Sequence, residues 1–163
     1  MAAETLTGAR AAATFPAFKP TGSGLLCAAY GTYEVPAAVE AGDIFELCKV
    51  PAGAVVLGGH VYADDLDTGT EALDIDIGWA ANGGSGTYDA VDTDGLGNLG
   101  LWSGDVVTDV KPEVGIHYVL GGNLLNGDFP AFTRETTIQA YVNVAAGTFT
   151  AGALSVVVFY VVP

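Results

Sequence analysis

Apolar and polar residues alternate at a period of two in several stretches of this chain. From Leu73 to Trp79, Leu73, Ile75, Ile77 and Trp79 alternate with Asp74, Asp76 and Gly78. That period predicts a strand with one face in a core and the other in water, so Asp74 and Asp76 are expected to be solvated. In DIFELCKV, Asp43 to Val50, the pattern sets Phe45, Leu47 and Lys49 on one face, with Phe45 and Leu47 toward the core. Ile44, Glu46, Cys48 and Val50 fall on the other face. Pro51-Ala52-Gly53 then reads as a tight turn into a strand from Ala54 to Ala63, bent or bulged at Gly58-Gly59. The two strands on either side of the turn are expected to form a hairpin.

Further strands are predicted at Leu25 to Glu34, Asp105 to Val110, His117 to Leu120, Glu135 to Val144 and Ala153 to Val162, the last two as another hairpin. A short helix is expected around Leu99 to Trp102. The segment from Asn82 to Gly86 (NGGSG) reads as a flexible loop. About eight strands with turns every 8–12 residues point to an all-β, antiparallel two-sheet sandwich. Residues 1–24 stand apart as an N-terminal arm: one helical turn near Ala11, then extended chain through two prolines. The sandwich domain is residues 25–163.

The last predicted strand, ALSVVVFYVV, is apolar on both faces. Left at an open edge it would aggregate. A central position, with one face on the core and the other on a neighbouring subunit, resolves this and predicts a homo-oligomer. Phe159 and Tyr160 in this strand are candidate interface residues. The tetrapeptide FPAF occurs at Phe15 to Phe18 and again at Phe129 to Phe132. Coincidence is the plain explanation, and a pair of extended aromatic docking segments is the functional one. On the latter, Phe15, Phe18, Phe129 and Phe132 join the candidate interface, with Lys19 beside the first pair.

Composition narrows the chemistry. The chain has 163 residues, half of them apolar, and 23 glycines, enough for a single domain with a real core. Its net charge is −14, and from Asp64 to Asp109 there are eleven acidic residues without a Lys, Arg or His. Such a surface repels phosphate, so nucleic acid and anionic membrane are excluded as partners. The same charge keeps a glycine-rich β protein soluble. No signal peptide is expected from the first fourteen residues, and the most apolar run has ten residues where a membrane span needs about 20. Assembly in a cytoplasm follows as the expectation, with Cys27 and Cys48 reduced.

Candidate catalytic and metal chemistry is thin. Asp64, Asp65 and Asp67, and Asp92 and Asp94, lie in what read as acidic, glycine-bearing loops that could hold calcium. The twelfth position from Asp92 is Ser103 rather than the glutamate an EF-hand loop requires. Aspartate is equally at home in turns, where its side chain accepts nearby backbone N–H groups. No metal or cofactor is therefore assigned. His60 and His117 lie outside any nucleophile motif, and no pair of acids is singled out for glycoside hydrolysis. An enzyme is not expected.

The run EAGDIFELCKVPAG (Glu40 to Gly53), followed by DDLDTG (Asp64 to Gly69) and LDIDIG (Leu73 to Gly78), resembles the capsid decoration, or cement, proteins of tailed bacteriophages. The similarity runs from about Tyr30 to Gly122. The resemblance implies a jelly-roll sandwich that associates, often as a trimer, on the outer surface of the virion, with the major capsid protein as partner. A carbohydrate- or receptor-binding sandwich from a virion fibre or surface protein is the alternative. It would present exposed Trp and Tyr in a groove, and Trp79 is expected in the core.

Overall fold

The computed structural model describes residues 4–8, 11–13, 24–36, 38–68, 72–97, 116–120 and 129–163. Nine strands are found among them: β1 (Thr5–Thr7), β2 (Cys27–Val35), β3 (Ile44–Val50), β4 (Val55–Ala63), β5 (Asp74–Trp79), β6 (Asp92–Gly97), β7 (Ile116–Leu120), β8 (Thr136–Val144) and β9 (Gly152–Val161). They form two sheets, a five-stranded one in the order β1-β3-β8-β5-β6 and a four-stranded one in the order β2-β9-β4-β7. Every pairing is antiparallel except β1 with β3. The fold is an all-β sandwich, and no helix occurs among the described residues.

The core lies between the sheets. Leu73, Ile75, Ile77 and Trp79 are buried as their alternation requires. Phe132 meets the Trp79 ring edge-on, with centroids 5.3 Å apart. From the other sheet Val56, Leu154 and Tyr160 fill the same space.

Strict alternation fails in β3. Its register with β8 runs Glu46 to Gln139 and then Cys48 to Ile138, leaving Leu47 as an extra residue. This bulge turns Leu47 and Cys48 both inward and carries Val50 into the core. Lys49 is left outside, its Nζ 3.5 Å from Glu135 Oε1. Strand β2 lies directly over the bulge. A Cβ on Gly31 would stand 2.0 Å from the Leu47 carbonyl oxygen, so only glycine fits.

Neither predicted hairpin forms. Ala54 N–H closes the turn onto the Pro51 carbonyl at 3.1 Å, but β3 and β4 belong to different sheets, and so do β8 and β9. Each connection crosses the sandwich, because both strands have an apolar face to bury and the two sheets together cover more of it than one. The bulge foreseen in β4 is present, between Val56 and Gly58, where Gly58 has φ of 142°.

Three further expectations are corrected. Asp76 is buried rather than solvated, at 3% exposure, because β8 carries Asn143 beside it and the Asn143 amide donates to the Asp76 carboxylate. The Asp92 stretch is strand β6 and not a loop, held by pairing to β5 despite its weak β-propensity. In the arm, Thr5–Thr7 pair with β3, Gly8 N–H donates to the Glu46 carbonyl at 2.7 Å and Glu4 N–H to Asp43 Oδ1 at 2.9 Å. Ala12 N–H reaches back to the Gly8 carbonyl at 3.2 Å, one turn near Ala11. The predicted helix at 99–102, the strand at 105–110, and Phe15, Phe18 and Lys19 lie outside the described residues.

Candidate interaction surface

The four-stranded sheet has an unusual outer face. Strand β9 lies centrally between β2 and β4, where a strand without a polar face is safe from edge pairing. Its inward residues Leu154, Val156, Val158 and Tyr160 are buried. Its outward residues Ser155, Val157, Phe159 and Val161 are half-buried by their neighbours alone.

Those neighbours are largely apolar. Cross-strand register sets Tyr30, Val157 and His60 in one line and Ala28, Phe159 and Gly58 in the next. Thr32, Ser155 and Tyr62 form a third line, in which the Thr32 and Ser155 hydroxyls lie 2.8 Å apart. The His60 ring stands edge-on to Phe159, with centroids 5.8 Å apart. Tyr30 and Tyr62 are each 47% exposed, and Leu57 at the β4 bulge and Leu26 before β2 are exposed as well. Such side chains on one sheet face make a contiguous apolar patch rather than the scattered singles of an ordinary surface.

The second FPAF segment extends this face. Val56 N–H donates to the Pro130 carbonyl at 2.8 Å, and Phe132 N–H to the Ala54 carbonyl at 3.0 Å, so 130–132 run alongside the start of β4. Extended geometry then alternates the side chains: Pro130 and Phe132 inward, Phe129 and Ala131 outward. The segment docks on its own chain. Phe129, 42% exposed, remains available to a partner, whereas Phe132 and Tyr160, each 1% exposed, are core residues and not interface residues. Phe159 is on the outer face. Sequence reasoning missed Tyr30, Tyr62 and Leu57. The signal for Tyr30 was legible: in β2 the small residues Ala29 and Gly31 alternate with it, and small residues belong where another backbone comes close.

Charge is absent from the three side-chain lines and, among the described residues, reaches the face only at its margin, where exposed Glu34 of β2 stands opposite Ala153. No Asp, Glu, Lys or Arg occurs from Cys27 to Tyr33, from Val55 to Ala63 or from Gly152 to Val161. The acids lie elsewhere, with Asp74, Asp76, Asp92 and Asp94 on β5 and β6 of the other sheet and Asp64, Asp65 and Asp67 beyond the end of β4.

The acidic candidates are occupied by the fold itself. Asp67 Oδ2 accepts the N–H groups of Ala72 (2.6 Å), Leu73 (2.9 Å) and Gly147 (2.9 Å), and its Oδ1 accepts Thr148 N–H at 2.7 Å. Burial alone would raise this carboxyl, but the four donors outweigh it and hold its pKa below the usual value. Asp64 Oδ2 accepts Ala153 N–H at 2.7 Å. Asp65 and Asp92 each accept the N–H two residues on, at 3.3 Å, the Asx-turn role. Burial, together with neighbouring Asp94, raises the Asp92 pKa. Among the described residues, no three His, Cys, Asp or Glu side chains are grouped to hold a metal ion.

Asp89 went unnoticed in the sequence. It takes the Thr133 hydroxyl, Asn82 Nδ2 (2.7 Å), Gly86 N–H (2.7 Å) and Thr133 N–H (3.0 Å). The Thr133 and Asn82 side chains lead in depressing its pKa far below the carboxylate range. The NGGSG loop expected to be flexible is thus fastened at both ends.

No family model and no curated protein matches this chain. Solved structures do. A chain from the capsid of Ralstonia phage GP4 matches with a TM-score of 0.73 at 20% identity, covering 98% of both chains. A chain from the capsid asymmetric unit of cyanophage Pam1 matches with a TM-score of 0.61 at 21% identity, covering 93% of this chain and 97% of that one. At these identities the likeness is one of fold.

Proposed function

We propose that this protein is a structural component of a bacteriophage virion, a decoration or cement protein that binds the outside of the capsid and bridges its subunits. The observation that carries this reading is the likeness to the Ralstonia phage GP4 capsid chain, which extends over 98% of both chains and so embraces the whole sandwich rather than one motif. The charge supports an outer position. With a net charge of −14, and only five Lys and Arg against 19 Asp and Glu, the protein as a whole is repelled by packaged DNA. Its partners on this reading are the major capsid protein and further copies of itself, with a trimer as the expected stoichiometry. Phe129 and Phe159, with the arm residues Phe15, Phe18 and Lys19, are the proposed contacts. Assembly takes place in the host cytoplasm, and no catalytic step is assigned.

The test is reconstitution. Purified heads lacking the protein are mixed with it, pelleted and imaged by cryo-electron microscopy. Saturable co-sedimentation, with added density outside the shell across subunit boundaries, is expected. Absence of binding, or density inside the shell, would overturn the reading.

A further inference from the structure

We infer that the outer face of β2, β9 and β4, uncharged along its three central side-chain lines, is the self-association surface, where neighbouring copies of this chain meet around a common axis. The inference rests on the homo-oligomeric part of the reading above and names the face that serves it.

The choice of occupant follows from charge. Each copy carries −14, and two such bodies repel at every approach that brings their acids together. The least costly approach is the one centred on uncharged lines, which keeps Glu34 at the margin and leaves the acids of β5 and β6 on the far side of each sandwich. Contact there strips water from apolar side chains without burying an ion. A partner chosen for complementary charge would be basic and would seat itself on the acidic sheet instead. The uncharged centre of this face is therefore suited to a like-charged partner, and a second copy is such a partner by definition.

The aromatic content fits. Tyr30, Tyr62 and Phe129 are exposed, and Phe159 and His60 lie between them. Tyr and Phe at the centre of a patch supply the anchors typical of protein interfaces. Three strand positions about 4.8 Å apart, crossed by three side-chain lines about 7 Å apart, give a footprint of roughly 300 Å². That is well below the roughly 800 Å² per partner of a standard stable interface. Association through this face alone is consequently concentration-dependent. It also strengthens with salt, because screening removes the repulsion and leaves the apolar contact.

The experiment is sedimentation equilibrium of the purified full chain at increasing concentration, in low and in high sodium chloride. It is run beside the double variant Tyr30→Glu, Tyr62→Glu and the control variant Tyr141→Glu on the other sheet. Both tyrosines of the double variant are exposed, so its fold should survive, with circular dichroism as the check. Val157→Glu is the second disruptive variant should the first not fold. The expected result is a wild-type mass that rises with concentration above 16.5 kDa, a several-fold tighter association in high salt, and a monomer when the face is charged. A wild type that stays monomeric throughout overturns the inference. So does an oligomer that survives charging of the face, or one that weakens with salt. Head binding is measured separately on the same samples. Monomers that still bind heads sink the inference and spare the capsid reading, whereas self-association without head binding does the reverse.

Discussion

Asp67 reaches backbone donors from two stretches far apart in sequence, at Ala72 and Leu73 and at Gly147 and Thr148. It thereby ties the loop before β5 to the connection between β8 and β9. Replacing it with alanine leaves those N–H groups without their acceptor, at a cost of about 1–3 kcal/mol. For a domain of this size that lowers the melting temperature by roughly 2–4 °C per kcal/mol, readable by circular dichroism. The sign of the pH dependence follows from the depressed pKa of Asp67. Its stabilising contribution is complete above the usual carboxylate value of 3.8 and is lost as pH falls through the lower, folded-state value. The stability gap between wild type and Asp67→Ala should therefore be constant above that range and narrow below it. A gap that persists into strong acid would mean that the alanine acts through packing. Asp92 has the opposite sign, because its raised pKa means that ionisation opposes folding. Asp92→Asn should stabilise the protein at neutral pH, by no more than about 1 kcal/mol given solvent screening, and the gain should vanish as acid protonates the wild-type carboxyl. A loss of stability at neutral pH would refute that assignment.

At the scale of elements, the β2–β3 corner and the arm make the sharpest predictions. Gly31→Ala pushes a methyl against the Leu47 carbonyl and should cost about 1–3 kcal/mol through overpacking, seen as a lower urea midpoint. Deleting residues 1–20 removes β1 and its bonds to β3, yet the other strands pair without it. The truncated sandwich should fold, melt at a lower temperature and bind neighbours less tightly. Ordering chain costs about 1–2 kcal/mol per residue, and burying Phe15 and Phe18 returns roughly 1.5–3 kcal/mol each. Beyond β1, only the portion from Thr14 to Pro20 is therefore proposed to anchor against a neighbouring subunit or the capsid. If truncated protein assembles and decorates heads as tightly as the full chain, the arm is only a tail. The elements differ in how legible they were. The inward set of β5 was plain because Leu73, Ile75, Ile77 and Trp79 face one core without interruption. The β3 pattern was plain up to Leu47, where a bulge defined by a partner some ninety residues away reversed the faces. Local period says nothing about which strands pair. The insertion of β9 between β2 and β4, and the crossing of both tight connections between sheets, were therefore invisible. Strand β6 was hidden because DTDGLG has no strand propensity of its own, and Gly95 is there to admit the Trp79 ring, whose Cη2 would be 2.3 Å from a Cβ.

Among the described residues charge and apolar surface are largely segregated, with most acids on one sheet and the connecting loops, and on the other sheet an outer face that is uncharged except for Glu34 at its margin. The acids are engaged by backbone donors and by Asn143, so calcium or EDTA should leave the melting temperature unchanged. An ion bound only to the native state at a hundredfold excess over Kd would add about 2.7 kcal/mol, and a shift of that size would reassign Asp64, Asp65, Asp92 and Asp94 as ligands. The same linkage tests cementing itself. A protein that bridges subunits of an intact head, and binds the broken shell less well, stabilises the head by RT ln(1 + [L]/Kd) at every site, about 2.7 kcal/mol at hundredfold excess. Many sites act together, so the temperature at which heads release DNA should climb with free protein concentration and level off at saturation. Wild type should restore heads that lack the protein. The double Tyr30→Glu, Tyr62→Glu variant should restore them only in part, because copies that cannot meet each other lose the avidity of a linked set. Heads that bind the protein to saturation and still release DNA at the undecorated temperature would show that it decorates without bridging, which would remove cementing from the proposed role and leave its place on the virion intact.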